Sequence, residues 1–538
     1  MHFNLKIEIN QFLRYDSLIM VIPKEVLSIL GKLKKAGFEA YIVGGCVRDF
    51  LLVRHSLGDD WVGMEPKDWD ITTKANPEEI QNIFPDSFYE NNFLTVTVRT
   101  KSKDPALAEI EITTFRSEAK YSDKRHPDQV KFAKTLEEDL SRRDFTVNAM
   151  AIDVLNDRNV LTDGIEKKQA KRSSKQSDRT IRTVIIDPFG GQEDLKKKII
   201  RTVGGPNERF SEDALRMLRA VRFATTLNFG IEETTAKAIK QNSLWLEAVS
   251  KERVRDELVK IVMAEKASDG IELLRQLHLL KYILPELEEN YGVGQNKHHM
   301  YDCYQHALKA LEYTAKKKFS LQVRLAALLH DIGKPRVKAG DGISSTFYNH
   351  EMVGANMVFG ILHRLKFSSK DIEKITKLVR CHMFYYNVGE VTESSVRRLI
   401  RNMGPENMEE LLQVREADRI GSGVPKAEPY KLRHLKYIID KVSQDPISVA
   451  MLKVNGKDIM DILKIEPGPK IGQMLDVLLG YVLDNPKKNT KVILTKEILA
   501  LGKLEDKELK ELAEKSKGEK FEAQAEQDES TKKKYWVA

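Results

Sequence analysis

The sequence predicts an α+β protein, a small mixed β-sheet head followed by a mostly α-helical neck and body. From Val21 to about Asp153, helical text such as PKEVLSILGKLKKAG alternates with short β-type runs: AYIVGG, WDITT, FLTVTVRT, EIEITTF and FTVNAMAID. From Ser211 to about Leu504 apolar residues recur at helical spacing with short breaks, and the β signal fades. The length of 538 residues leaves room for roughly three or four domains.

In chain order, residues 1–22 read as an N-terminal extension and 23–200 as the sheet-bearing head. A polar, strongly basic stretch at about 156–184 lacks apolar periodicity and reads as a surface insertion. Residues 201–290 form the helical neck and body, 291–425 a second helical module, and 426–504 a helical C-terminal region. The last segment, 505–538, is rich in Lys and Glu with few apolar residues, which predicts a frayed helix or a disordered tail.

Composition sets the outer limits. With 41% hydrophobic and 31% charged residues, wholesale disorder and fibrous classes are excluded. No apolar run approaches the roughly 18 residues of a membrane span, and the first residues, with Glu8 and Asp16, show no cleavable leader. A cytoplasmic location without membrane contact is expected. Eighty-eight Lys and Arg against 80 Asp and Glu give +8, which permits a polyanionic partner without demanding one. Cys46, Cys303 and Cys381 are widely spaced and odd in number, so free thiols are expected.

Four motifs in the first half carry chemistry. In YIVGGCVRDFLL a strand runs through the Gly44-Gly45 turn into a helix start bearing Arg48, a junction where backbone N–H groups can approach a phosphate. The same pattern also makes an ordinary tight turn. KDWDITT sets Asp68 and Asp70 two apart in a strand, projecting from one face; they repel unless a cation such as Mg²⁺ sits between them, or unless that edge is simply solvated. Glu109 and Glu111 alternate likewise, and Glu111 is a candidate third carboxylate.

SRRDFTVNAM places Arg142, Arg143 and Asp144 before a buried run, suited to ribose and phosphate or to a surface ion pair. RFSEDALRMLRAVRFA reads as one helix opening at Ser211, with Asp213 and Arg216 side by side at i,i+3. An Asp accepting from an exocyclic amine and an Arg donating to a ring nitrogen complement cytosine and adenine and refuse uracil and guanine. An intrahelical salt bridge is the alternative.

Taken in order, GGCVRDFLL, KDWDITT, EITTFRSEAKYSDKRHPDQVKF, RRDFTVNAM, DPFGGQEDL and SEDALRMLRAVRFA resemble the class II tRNA nucleotidyltransferases, that is, the CCA-adding enzymes and their bacterial poly(A) polymerase relatives. The resemblance covers about residues 23–290. It implies that Asp68 and Asp70 hold two Mg²⁺ ions, one activating the RNA 3′-hydroxyl and one neutralising the departing pyrophosphate. It implies that Asp144 and Arg143 contact the nucleotide ribose and phosphates beside the Gly44, Gly45 and Arg48 turn, that Asp213 and Arg216 read the base, and that a loop at about 117–127 helps switch from CTP to ATP. tRNA, CTP and ATP are the implied partners, with basic residues along 251–281 as candidates for gripping RNA. An enzyme adding only A, or only CC, remains open, as does a bacterial poly(A) polymerase, although FYENNFLTVTVRT is closer to the CCA-adding branch.

A second signal lies downstream. Seven of the twelve histidines fall between His298 and His382, where even spacing gives about two. LAALLHDIGKP ends an apolar helix in His330 and Asp331, stopped by Gly333 and Pro335, a pattern that also serves plain capping. With His306 upstream and Asp418 in EADRIGSG, this stretch resembles the HD metal-dependent phosphohydrolases. That resemblance implies His306, His330, Asp331 and Asp418 as ligands of Mg²⁺ or a divalent transition metal, His350 and His382 as ligands of a second ion, and Lys334 near a phosphate. Two further readings stay open: a phosphohydrolase whose head only binds RNA, and a nucleotide-sensing module without turnover.

Overall fold

The computed structural model describes residues 18–19, 22–57, 66, 68–90, 95–119, 129–155, 182–295, 300–443, 449 and 452–537. It divides into two units, 1–376 and 377–538. Among the described residues no helix is long and apolar enough to cross a membrane.

The head contains strands β1 (Leu18–Ile19), β2 (Ala40–Val43), β3 (Asp70–Thr73), β4 (Ser87–Glu90), β5 (Thr95–Arg99), β6 (Glu109–Thr114), β7 (Arg116–Ala119), β8 (Gln129–Phe132), β9 (Ala151–Leu155) and β10 (Arg182–Ile186). Eight of them form one mixed sheet in the order β1-β10-β9-β2-β3-β6-β5-β4, and β7 and β8 form a separate hairpin. Only the β3–β6 pair of the large sheet is parallel.

Alternation along these strands divides the sheet into two chemically different faces. Ile42, Ile71, Ile110, Ile112 and Val96 are buried on one face. Helices α1 (Lys24–Lys35) and α2 (Gly45–Leu57) flank β2 in the chain. In α1 the buried residues Val26, Ile29, Leu30 and Leu33 repeat at helical spacing. The other face carries Asp70, Thr72, Thr95, Glu111 and Thr113, in register across β5, β6 and β3. A polar face on a central sheet needs a polar ligand or polar cover.

The strand ends differ from the sequence expectations in three places. FTVNAMAID is not one strand: Thr146–Asn148 form a 3-10 turn, and β9 begins at Ala151. The basic insertion ends in structure, because residues 182–184 already pair with β9 in β10; residues 156–181 lie outside the described ones. Of the expected loop at 117–127, residues 117–119 belong to β7 and 120–127 lie outside the described residues.

Helices α3 (Pro77–Ile83), α4 (Leu136–Ser141) and α5 (Gly191–Lys197) also belong to the head; α6 (Pro206–Glu212), α7 (Leu215–Leu227) and α8 (Lys251–Met263) follow in the neck. The RFSEDALR segment is two helices, not one. Asp213 adopts extended backbone (φ −146°, ψ 105°) between α6 and α7, so Ser211 ends α6 with its Oγ donating to the Glu208 carbonyl at 2.7 Å.

Beyond the neck, α9 (Cys303–Lys316), α10 (Leu321–Leu329) and α11 (His350–Arg364) belong to the first unit's helical array. Arg324 on α10 ties this array to the neck. Its buried guanidinium donates to the carbonyls of Phe319 (3.1 Å), Val262 and Ala264 (3.0 Å each) and Ala315 (3.4 Å).

The second unit contains α12 (Glu393–Met403), α13 (Met408–Gly421), α14 (Tyr430–Ser443), α15 (Pro469–Asp484) and α16 (Asp506–Tyr535). Within the 505–538 segment, Asp506–Tyr535 is therefore a continuous packed helix rather than a frayed or disordered tail. Leu509 joins the core with Met474 and Leu478, Asp528 accepts from the Tyr437 hydroxyl at 2.5 Å, and Lys534 reaches Asp440 at 2.7 Å. Tyr437 and Asp440 sit on α14, far away in sequence, which local composition cannot reveal. The three cysteines are free thiols, and burial pushes the Cys46 and Cys303 thiols up to about 12.

The Arg324→Met variant leaves four carbonyls without their shared donor and is expected to lose about 3 kcal/mol of stability. Denaturant titration of the full chain checks this, and an unchanged midpoint contradicts the staple.

Candidate nucleotide-transfer site

Asp70 opens β3 and faces Glu111 directly in the parallel β3–β6 register, so both side chains leave the same face. Neighbouring strands run about 4.8 Å apart, which brings two carboxylates together. Asp68 does not lie in the strand, as expected, but in the exposed segment just before it. Its charge still reaches the pair. Burial raises the Asp70 carboxyl, Arg143 opposes the rise, and Asp68 adds to it. Glu111 is raised by burial, then by Asp70, Glu90 and Asp68. Two carboxyls raised above their ordinary range, with a third acid beside them, suit a divalent cation. Glu109 lies at the far end of β6, 3.5 Å from Arg99.

Val43 pairs with Asp70 across the β2–β3 ladder, and the chain then turns at Gly44 with φ +86°. A Cβ at Gly44 would stand 3.1 Å from Arg143 Nη1 and 3.2 Å from Asp70 Oδ2, so glycine is required by both backbone and space. Helix α2 starts at Gly45. Arg48 in its first turn donates to Asn148 Oδ1 at 2.7 Å.

The arginines are fixed by two buried carboxylates. Asp139, which sequence reasoning passed over, is fully buried, accepts from Arg142 at 2.9 Å, lies 3.8 Å from Arg143, and accepts from the Thr72 hydroxyl at 3.3 Å. Asp144 is held at 2.6 Å by Arg219. Burial alone would push Asp144 up, but the Arg219 guanidinium outweighs it and brings the carboxyl to about 2. Asp144 lines the cleft while paired with Arg219. The DPFGGQEDL motif buttresses this turn: Asp187 accepts from the Gly191 and Gln192 N–H groups, while Asp194 accepts from the Thr146 hydroxyl at 2.6 Å and from Arg201.

The Asp213 and Arg216 side chains take different partners, although the Arg216 backbone N–H donates to the Asp213 carbonyl at 3.0 Å. Asp213 receives both guanidinium nitrogens of Arg253, at 2.7 and 3.2 Å. Arg216 binds Glu212 and the carbonyls of Arg209 (3.1 Å) and Arg142 (3.2 Å). Both nevertheless line the cleft of about 670 Å³ that Gly44, Gly45, Asp70 and Glu111 also line. Its walls carry eight arginines against four carboxylates, a surplus suited to a triphosphate. Arg219 and Arg222 were not singled out from sequence, and Arg253 was read only as part of the basic stretch 251–281. The signal for the first two was present, because Arg216, Arg219 and Arg222 recur every third residue along one face of α7.

Of the basic residues expected to grip RNA along 251–281, Arg253, Arg255, Lys260 and Arg275 are paired with Asp213, Asp256, Glu257 and Glu272. Solvated and internal ion pairs account for these four.

In the first unit a second cluster assembles. His306 Nε2 lies 2.9 Å from His330 Nε2, and both lie within 3.2 Å of Asp331 Oδ2. His350 Nε2 is 3.2 Å from Asp331 Oδ1. The Nδ1–H groups of His330 and His350 donate to the carbonyls of Ala327 and Phe347 at 2.8 Å, which turns each Nε2 lone pair inward. Converging lone pairs beside a carboxylate fit a metal ion. Lys334 is buried, donating to Asp331 and Gln295 at 2.6 Å. Gly333 serves close packing rather than stopping a helix: a Cβ there would lie 2.5 Å from the His350 carbonyl. Pro335 opens the short helix Lys334–Val337.

His363 is exposed and stacks on Phe359, apart from the cluster, and His298 and His299 lie outside the described residues. In the second unit His382 Nδ1 donates to the Val379 carbonyl at 2.6 Å, and Asp418 accepts from Arg415 at 2.6 Å.

Folding raises the Asp70 carboxyl above its unfolded value, so its ionised form costs stability at neutral pH and the cost is relieved as pH falls. Without divalent ions, Asp70→Asn is therefore expected to raise Tm by a few degrees at neutral pH. Added Mg²⁺ should stabilise the native chain and leave the variant unmoved. A variant that melts lower without the ion, or gains as much from it, contradicts the cation reading.

Comparison with known proteins agrees with this geometry. Residues 40–201 match the poly A polymerase head domain, 228–291 the probable RNA and SrmB-binding site of polymerase A, and 297–422 the HD domain. A CCA-adding enzyme of Ligilactobacillus salivarius (strain UCC118) is 33% identical over 488 residues, covering 88% of this chain and 98% of that one. An A-adding tRNA nucleotidyltransferase of Deinococcus radiodurans is 34% identical over 363 residues, covering 65% of this chain and 76% of the relative. The crystal structure of the Bacillus stearothermophilus CCA-adding enzyme in complex with CTP aligns with a TM-score of 0.52 and 28% identity, over 89% of this chain and 96% of that one. With a sheet that presents paired carboxylates to an arginine-lined cleft, and relatives matched along nearly their whole length, the chain belongs to the CCA-adding enzyme family of nucleotidyltransferases.

Proposed function

We propose that the chain adds C, C and A to the 3′ end of tRNA from CTP and ATP, without a nucleic-acid template and with release of pyrophosphate. The observation that carries this reading is the single cleft in which Asp70 and Glu111 face eight arginines while Asp213 and Arg216 line the same space. Arg143, the Gly44-Gly45 turn and the start of α2 receive the triphosphate. Asp213 accepts from the exocyclic amine and Arg216 donates to the ring nitrogen that cytosine and adenine share. Arg253 holds the Asp213 carboxylate in the orientation that accepts.

Asp68, Asp70 and Glu111 are the residues that would hold Mg²⁺, which when bound neutralises phosphate charge and acidifies the attacking hydroxyl. The RNA 3′-oxygen attacks the α-phosphorus directly, so the protein orients the two substrates and needs no covalent intermediate. In the first unit, His306, His330, Asp331 and His350 support a second, metal-dependent phosphohydrolase chemistry.

An A-adding activity is the alternative, favoured by the similarity to the Deinococcus radiodurans relative. Both readings use the same edge pattern, so the acceptor decides. The purified chain is incubated with tRNA lacking its 3′ CCA, Mg²⁺ and each labelled NTP in turn. Incorporation of C, and of A once C is present, is expected. Incorporation of A only, on tRNA already ending in CC, supports the A-adding reading, and acceptance of UTP or GTP contradicts the roles of Asp213 and Arg216.

Arg253→Met should loosen Asp213 and leave the carboxylates that would hold Mg²⁺ unchanged. KM for CTP and ATP is expected to rise about tenfold, consistent with one charge-assisted contact, with selectivity against UTP falling. Steady-state kinetics with the four nucleotides check this; unchanged KM and selectivity contradict it.

A further inference from the structure

The second unit contains a cavity of about 630 Å³ that the nucleotide-transfer reading does not use. Helix α14 and the segment before it supply Tyr430 and Lys431, helix α13 supplies Arg415 and Arg419, and Phe384 and Tyr386 close a third side. The lining holds three cationic side chains and no carboxylate. Three aromatic rings form a series: Tyr386 and Tyr430 lie 6.1 and 5.9 Å from His434, between ring centroids, and the Tyr386 hydroxyl is 2.5 Å from His434 Nδ1.

The cationic side is not self-satisfied. Arg415 is paired with Asp418 at 2.6 Å, but the buried Nε of Arg419 has no hydrogen-bond partner among the described residues. A guanidinium with an unmet donor, beside a lysine and with no acid in the wall, calls for an anion. Aromatic faces beside that anion site call for a flat ring. Tyr430 is 42% exposed, so its ring is accessible to a ligand rather than consumed in the core. Phe384 and Tyr386, by contrast, pack against Val396, Leu412, Leu432 and Leu435, which gives the pocket a rigid floor.

We propose that this pocket is a second nucleotide-binding site: a nucleobase stacks on Tyr430 and Phe384, and its phosphate is received by Arg419 and Lys431. Its size falls within the range of small-molecule pockets. The phosphate chemistry is shared by a free nucleotide and by the terminal nucleotide of an RNA strand. The binding involves no covalent step.

The test uses the full-length chain with two probes, radiolabelled AMP and a short single-stranded RNA, in equilibrium dialysis without divalent ions. 8-Azido-AMP crosslinking maps the occupied peptide. Tyr430→Ala and Arg419→Ala are chosen because neither belongs to the transfer site, so CTP incorporation should stay at the native rate and report intact folding. The native chain is expected to bind AMP beyond the head cleft, to crosslink within 384–386 or 429–435, and to lose roughly tenfold or more in affinity at this site with either substitution. Loss confined to AMP identifies a free nucleotide as the occupant, and loss confined to the RNA identifies a strand terminus. Both variants binding both probes as the native chain does, or crosslinks only in the head, overturns the proposal. Because CTP incorporation is measured separately, failure here is distinguishable from failure of the transfer reading.

Discussion

Two acidic side chains at the head of adjacent parallel strands repel each other, and much of the first unit is arranged around that repulsion. Asp70 and Glu111 share a register position and a face, and burial together with Asp68 makes their charged forms costly. Nothing in folding rewards such a placement. The sheet's opposite face shows what the same strands do when only packing matters, with Ile71, Ile110 and Ile112 buried at alternate positions. The polar face is stability given up for a site that a cation and a triphosphate complete.

The compensation comes from arginines held in place by other carboxylates. Asp139 gathers Arg142 and Arg143 beneath the cleft, while Asp144 takes Arg219 from α7, and so joins the head to the neck by a buried ion pair. Breaking such a pair leaves a buried charge behind, which makes the junction costly to deform. Arg253 does the same for Asp213 from α8. A cleft whose walls come from different elements is therefore held to one shape by pairs that cross between them, as positioning a base against a phosphate requires.

The sheet-then-helix order and the Asp70–Glu111 pairing on one face were legible in the sequence because their signals are local, a period of two and a glycine turn, whereas Asp68 falls outside the strand. Gly44 is such a case, since its φ of +86° and the crowding by Arg143 and Asp70 both demand the glycine that the sequence displays. What stayed hidden depended on partners remote in the chain. The pairing of Asp213 with Arg253 spans 40 residues, and the closeness of Asp213 and Arg216 in sequence gave no sign that their side chains are held by different partners, Arg253 and Glu212. The charged C-terminal helix misled for the same reason, since Leu509, Asp528 and Lys534 find their partners on other helices. Gly333 shows the converse, a residue correctly noticed whose purpose, contact with the His350 backbone, only the packing reveals.

The central claim is that cation and triphosphate complete one site together, each relieving a charge the other cannot. Calorimetric titration of the chain with CTP, with and without Mg²⁺, measures this coupling directly. The expected result is a CTP affinity that rises several-fold with Mg²⁺, and a Mg²⁺ affinity that rises by the same factor with CTP. Equal CTP affinities under the two conditions would contradict it.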